Sequence, residues 1–229
     1  MLQAVLLEFE GVIADTREAR KSALSASLAD EGIVLDDWEY AEHCLSLPVR
    51  GATREALALR GIRGDETRVD LATLRAERRF AELVGAGASL VPGAVALVES
   101  IHSHARVGLV SRAARREIEP VLSLAGIDHA FEFVIADDDP FPPKPSPAGY
   151  GGALERLARR RAVVPRNVVA LEDGRAGIRA AKGAGLRCAV VGLVPAHLAM
   201  DADALLPTLV GQTAVSIDSL TSGERTADR

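Results

Sequence analysis

The chain has 229 residues, 48% hydrophobic and 26% charged, with a net charge of −5 and a pI near 5.6. This is globular composition, enough for one substantial core and a smaller second one, and its acidic balance argues against a nucleic-acid partner held through phosphates. No apolar run approaches the ~18 residues of a membrane span, and no leader pattern precedes the first strand, so a cytoplasmic protein without a membrane partner is expected.

The chain opens on a short apolar run, Ala4 to Leu7, that ends in Glu8-Phe9-Glu10-Gly11. It reads as a buried strand delivering two carboxylates, spaced i and i+2, to its carboxyl end, where open α/β sheets place their ligands. From residue 17 to about 86 the pattern is helical throughout. Ala19, Ala23, Leu24 and Leu28 recur at helical spacing before Gly32, and Asp36-Asp37 cap a helix running to about Cys44. Pro48 to Arg54 reads as a loop, followed by helices around Ala56–Leu59 and Leu71–Val84, and Gly85 to Ser89 reads as a small-residue linker.

Beyond it, strand and helix signals alternate. Strands are predicted at 107–110, 133–136, 168–171 and 188–191, with an edge strand at Leu205-Leu206 and helices at 94–102, 113–125, 147–160 and 175–184. The polar tail from Thr221 is predicted to fray. Alternation of this kind implies right-handed βαβ units and a mostly parallel sheet with helices on both faces. Cys44 and Cys188 lack metal-ligand spacing, so each is expected as a buried thiol, with no oxidising compartment implied. The Arg159-Arg160-Arg161 cluster reads as a solvated helix end.

The carboxyl ends of the predicted strands collect Glu8 and Glu10, Ser111, and Glu172-Asp173, while the loop after the third strand adds Lys144. Acids suit a hard divalent cation, and a lysine and a hydroxyl suit phosphate oxygens, so the set fits phosphoryl transfer. Each residue alone has a plainer explanation: Ser111 as an N-cap, Lys144 as a surface lysine, Glu172-Asp173 as complements to a helix dipole. Their common position at strand ends favours a site.

These motifs, in this order, resemble the haloacid dehalogenase superfamily, in its β-phosphoglucomutase-like and phosphoglycolate-phosphatase-like branch. The first family motif, Asp-x-Asp-Gly-x-x-x-Asp-(Thr/Ser), is matched by Glu8 to Thr16, and the apolar strand ending in Ser or Thr by Val107 to Ser111. Lys-Pro-x-Pro is matched by Lys144 to Pro147, and Glu-Asp-Ser-x-x-Gly by Glu172 to Gly177. The resemblance implies a Rossmann-like core, residues 1–16 and 87–229, with an inserted small helical cap, residues 17–86. It further implies a Glu8 nucleophile, a Glu10 general acid/base, and Ser111, Arg112 and Lys144 on the transferring phosphoryl group. Glu8, Glu10, Asp173 and Glu172 would lie around Mg2+, and Gly51 and Arg54 of the cap would face substrate. The expected protein is a monomer or weak dimer acting on a small, sugar-phosphate-like metabolite.

One departure stands out: both first-motif aspartates of the family are glutamate here. An added methylene displaces a carboxylate by about 1.5 Å, and misplacement near 1 Å costs on the order of 100-fold in an in-line attack. A working Mg2+-dependent phosphatase is therefore weighed against a catalytically silent binder of a phosphorylated ligand or partner. A phosphomutase is a further alternative, disfavoured because the histidine such enzymes carry in the first cap helix, near Arg20 here, is missing. His43 is the one histidine of the insert; His102, His104, His129 and His197 lack a motif context. A dinucleotide-binding enzyme would need a glycine fingerprint after the first strand, which is absent.

Overall fold

A computed structural model of the chain describes residues 1–45, 47–85, 90–195 and 200–222. Six parallel strands form one sheet in the order β3-β2-β1-β4-β5-β6. They are β1 (Ala4–Leu7), β2 (Arg106–Val110), β3 (Val134–Ile135), β4 (Val168–Glu172), β5 (Arg187–Val191) and β6 (Ala204–Leu206). The inner strands are short apolar runs because helices cover both faces; at the edge, a strand side chain such as Leu205 in β6 meets water. β1 is central, in register with its neighbours through Leu7↔Leu109 and Leu7↔Leu171. Strand order reverses beside β1, which makes its carboxyl end the topological switch point of the sheet.

The chain falls into two compact units, Met1–Asp15 with Leu90–Arg229, and Thr16–Ser89. The second is all helix: α1 (Arg17–Ala29), α2 (Asp37–Glu39) running into a π-turn at Tyr40–Cys44, α3 (Val49–Leu59) and α4 (Glu66–Gly85). Its own core gathers Leu24, Leu28, Ile33, Tyr40, Leu57 and Val69. Small residues let α1 approach α4, where the Ser27 hydroxyl donates to the Ala72 carbonyl at 2.6 Å. Of the two aspartates expected to cap α2, Asp36 does so, in a reciprocal cap with Glu39, while Asp37 is the first residue of the helix.

The sheet is flanked by α5 (Ala94–His102), α6 (Arg115–Leu124), α7 (Ala148–Ala158), α8 (Arg175–Gly183) and α9 (Ala214–Ser222). Its core includes Leu6, Val110, Tyr150, Leu157, Ala170, Ile178 and Cys188.

Three expectations about elements change. The stretch Pro48–Arg54 is not a loop: α3 begins at Val49, with Pro48 at the N-cap, where a missing N–H costs nothing. α4 begins at Glu66, ahead of the apolar repeat, because the Asp65 carboxylate accepts the Arg68 N–H at 3.0 Å and starts the helix. α9 was missed: Thr213 and Ser216 cap it reciprocally, at 2.8 and 3.2 Å, and Thr221, where the frayed tail was expected to begin, is instead buried in its last turn with its hydroxyl on the Ile217 carbonyl at 2.7 Å. The linker expected at Gly85–Ser89 lies outside the described residues except for Gly85, the last residue of α4, and so does the tail from 223 onward. Cys44 and Cys188 are both buried and free, and burial pushes the Cys44 thiol up to about 11.

Candidate active site

β1 hands the chain to Glu8, whose N–H continues the sheet ladder to the Leu171 carbonyl at 2.9 Å. The Ser111 N–H does the same to Ile135 at 2.9 Å just beyond β2. These bonds fix both backbones level with each other at the carboxyl edge. Lys144 arrives from the proline loop after β3, and Glu172 closes β4. The side chains of Glu8, Lys144 and Glu172 are 7%, 6% and 1% exposed, so their charges must be answered within the protein.

They answer one another. The Lys144 ammonium donates to Glu8 Oε2, to Glu172 Oε1 at 2.6 Å and to the Val110 carbonyl at 2.8 Å, which engages all three of its protons. Glu8 Oε1 accepts from the Phe9 N–H at 2.7 Å and from the Ser111 hydroxyl. Ser111 Oγ in turn accepts the Ala113 N–H at 3.0 Å. The Tyr150 hydroxyl donates to Glu172 Oε1, and the ammonium lies 5.2 Å from the Tyr150 ring centre. Two carboxylates thus share one cation. Burial works to lower the Lys144 pKa, but Glu172 and Glu8 outweigh it and hold the ammonium charged. Burial pushes the Glu172 carboxyl up to about 7; the Glu8 charge adds to this and Lys144 opposes it.

Two glycines make the close approach possible. A Cβ at Gly177, in the first turn of α8, would sit 1.8 Å from Glu172 Oε2, so the bare backbone makes room for the carboxylate. Gly11 has φ +74°, and a Cβ there would sit 2.7 Å from Asp173 Cβ and 2.9 Å from Asp173 Oδ2. The first-motif turn therefore closes directly on Asp173. Glu10 lies in that turn, bridged to Ala14, so strand alternation does not set its direction as the i, i+2 argument assumed.

The remaining expected residues are placed as follows. Ser111, Arg112, Asp137, Lys144, Ser146 and Tyr150 line one small pocket at the rim. Glu172 was expected at the metal; its carboxylate is turned inward onto Lys144 and Tyr150 instead. In the helical unit, Gly51 is in the first turn of α3, where an added Cβ would have ordinary clearance of 3.5 Å from Leu47. Arg54 forms a two-pronged pair with Glu66, at 3.2 and 2.8 Å, beside Arg50, which bonds the same carboxylate at 2.7 Å. His197 lies outside the described residues. Sequence reasoning gave no role to Tyr150; its only signal was an aromatic residue soon after Lys144 in a chain with 3% aromatics.

The residues present suit Mg2+ by donor type, since the rim carries carboxylate and carbonyl oxygens. Gly11 leaves the Asp173 carboxylate against the first-motif turn, in space that a side chain would fill. Among the described residues no three His, Cys, Asp or Glu side chains group as a metal cluster. Mg2+ is usually held by one or two carboxylates, with water and substrate oxygens completing its shell, and the Asp173 carboxylate beside the first-motif turn is a donor of that type.

The chain's likeness to known proteins follows the same lines. It is 34% identical over 203 residues to protein CbbY of Cereibacter sphaeroides, covering 83% of this chain and 84% of the relative. It is 28% identical over 208 residues to the validoxylamine A 7'-phosphate phosphatase of Streptomyces hygroscopicus subsp. limoneus, with 90% of each covered. The crystal structure of a CbbY mutant from Rhodobacter sphaeroides in complex with xylulose-(1,5)bisphosphate superposes with a TM-score of 0.78 at 29% identity, over 95% of this chain and 99% of that one. Residues 5–191 match the haloacid dehalogenase-like hydrolase family, a span that holds every rim residue described above, and the chain belongs to that family.

Proposed function

We propose that the protein is a phosphoric monoester hydrolase acting on a small, sugar-phosphate-like metabolite. The observation that carries this reading is the convergence of Glu8, Ser111 and Lys144 from three separate segments into one hydrogen-bonded cluster at the switch point. A carboxylate, a hydroxyl and an ammonium at one place supply a nucleophile and two donors for phosphoryl oxygens. The names of the relatives, a phosphate phosphatase and a protein crystallised with a sugar bisphosphate, point to the same substrate class.

In this reading the Glu8 carboxylate attacks phosphorus, the bond to the leaving oxygen breaks, and the alcohol leaves with a proton from Glu10. Water, deprotonated by Glu10, then attacks the phosphorus of the acyl phosphate, which releases inorganic phosphate and restores Glu8. Lys144 and Ser111 hold the transferring oxygens, and Glu172, through Tyr150 and Gly177, holds Lys144. Asp173, the Glu10 carbonyl and Glu8 are the assigned holders of Mg2+, which when bound supplies charge neutralisation to the phosphoryl group. The helical unit is assigned the part of a substrate-selecting cap, and the protein is assigned to the cytoplasm as a monomer or weak dimer.

The test is phosphate release from a panel of sugar phosphates that includes xylulose 1,5-bisphosphate, with Mg2+ and with a chelator. Turnover lost on chelation supports the reading. A second reading, a silent binder of phosphorylated ligands, draws on the engagement of Glu8 by protein donors. It requires ligand-induced stabilisation without product, and turnover appearing only in the Glu8→Asp, Glu10→Asp double variant. Silence of both proteins on the whole panel refutes the hydrolase.

A further inference from the structure

The donors that a phosphoryl group would need are already in use, and Glu8 is what uses them. Ser111 has one hydroxyl proton, and it goes to Glu8 Oε1. The Phe9 N–H, the backbone donor beside it, goes to the same oxygen at 2.7 Å. Lys144 has three protons, on Glu8, Glu172 and the Val110 carbonyl. An incoming phosphate oxygen therefore finds a donor on Ser111 or Lys144 only by taking it from one of these partners.

The partners are not equally replaceable. The Val110 carbonyl belongs to a strand paired on both sides. Glu172 is 1% exposed, hydrogen-bonded by Tyr150, and walled in by α8 at Gly177. Glu8 is the most exposed of the three partners, at 5%, and its carboxylate is carried on two methylenes. The Glu8 backbone is pinned to Leu171 at 2.9 Å, so the reach to Ser111 comes from the side chain and not from a shift of the strand. A carboxylate one methylene shorter on the same backbone would fall about 1.5 Å short of that reach and leave the Ser111 proton free.

We propose that Glu8 is the affinity-setting residue of this site: its carboxylate occupies the position of a phosphoryl group on Ser111 and Lys144, and phosphate enters only by displacing it. The proposal rests on the phosphatase reading and deepens it. The same displacement frees the Glu8 carboxylate to act as nucleophile, so binding and activation are one event, driven by a ligand negative enough to replace a carboxylate. Dianionic phosphate esters meet that requirement better than monoanionic diesters, which favours terminal phosphates as ligands.

The experiment is calorimetric titration of inorganic phosphate, with and without Mg2+ so that loss of a metal ligand is separated from loss of the competing carboxylate, into the unaltered protein, Glu8→Asp and Glu8→Ala. Aspartate keeps the charge and changes only the reach, so it isolates displacement from repulsion. Exchanging a charge-assisted hydrogen bond corresponds to an affinity change on the order of 10- to 100-fold. Both variants are expected to bind phosphate at least tenfold more tightly than the unaltered protein. Equal, measurable binding by all three overturns the proposal and leaves the phosphatase reading standing. No binding by any of them overturns that reading, and the proposal with it. A crystal of the unaltered protein grown at high phosphate gives a check that needs no variant. Phosphate on Ser111 and Lys144 with Glu8 swung away supports the proposal, and phosphate there with Glu8 unmoved refutes it.

Discussion

Gly177→Ala is a substitution on which two physical effects predict opposite signs. Gly177 lies inside α8, where alanine is favoured over glycine by about 1 kcal/mol on helix propensity alone. The added Cβ, however, would lie 1.8 Å from Glu172 Oε2 and 2.0 Å from its Cδ. The Glu172 side chain has no outward escape, because its Oε1 is held by Lys144 and Tyr150 in a site 1% exposed. Either α8 lifts from the sheet or Glu172 leaves Lys144, and disrupting such a buried pair costs about 3–5 kcal/mol. Subtracting the helical gain leaves a destabilisation of about 2–4 kcal/mol. For a chain of this size that lowers the melting temperature by about 4–16 °C. Urea unfolding followed by circular dichroism measures it directly, with Gly151→Ala as the control. Gly151 also lies inside a helix, but nothing stands within 4 Å of its would-be Cβ, so that variant is expected to gain up to about 1 kcal/mol. If both variants gained stability equally, Gly177 would not be making room for Glu172, and the account of the buried cluster would fail.

Tyr150→Phe removes the hydroxyl that donates to Glu172 and leaves a buried acceptor short of a partner, an expected cost of about 1–3 kcal/mol in urea unfolding. No loss in that variant would mean the bond contributes nothing. Lys144→Met strands Glu8 and Glu172 beside each other without their cation and should destabilise the fold by about 3–5 kcal/mol at neutral pH. The Glu172 carboxyl, already pushed up to about 7 by burial, would lose the ammonium that opposes that rise, so stability is present below the unfolded range and lost as pH rises. The variant's deficit should therefore shrink as pH is lowered from 8 to 5, and a deficit constant over that range would contradict the like-charge argument. In the helical unit, hydrogen bonds from Arg68 and Arg75 hold the Glu31 carboxyl below its usual 4.5. That contribution is complete above pH 4.5 and lost as pH falls through the lowered value. Because the arginines are about a third exposed, solvent screening keeps it to about 1 kcal/mol. Glu31→Gln should thus cost this much at pH 7 and nothing near pH 2; an equal cost at both would refute it.

The order of strands and helices was legible because buried parallel strands must be short and apolar and the helices between them amphipathic, a pattern carried along the chain by residues such as Val107–Val110 and Val168–Leu171. The site's polar residues were legible for the same reason, since a parallel sheet aligns its carboxyl ends and Glu8, Ser111 and Glu172 each follow such a run. Where a helix starts ahead of its apolar repeat, at a proline N-cap as at Pro48 or at a polar cap as at Asp65 and Thr213, the pattern placed the boundary wrongly or missed the element. Side-chain direction was also out of reach. Nothing in the order of residues says that Glu172 turns inward to Tyr150, that Gly177 is bare so that it can, or that Arg54 already holds Glu66. Those are contacts between segments far apart in the chain, settled by which charge reaches which partner once water is excluded. The sequence alone determined that acids, a hydroxyl and a lysine would meet at one edge of the sheet; only the tertiary structure decided that Glu8 and Glu172 would share a single ammonium, because a buried charge takes the nearest opposite one.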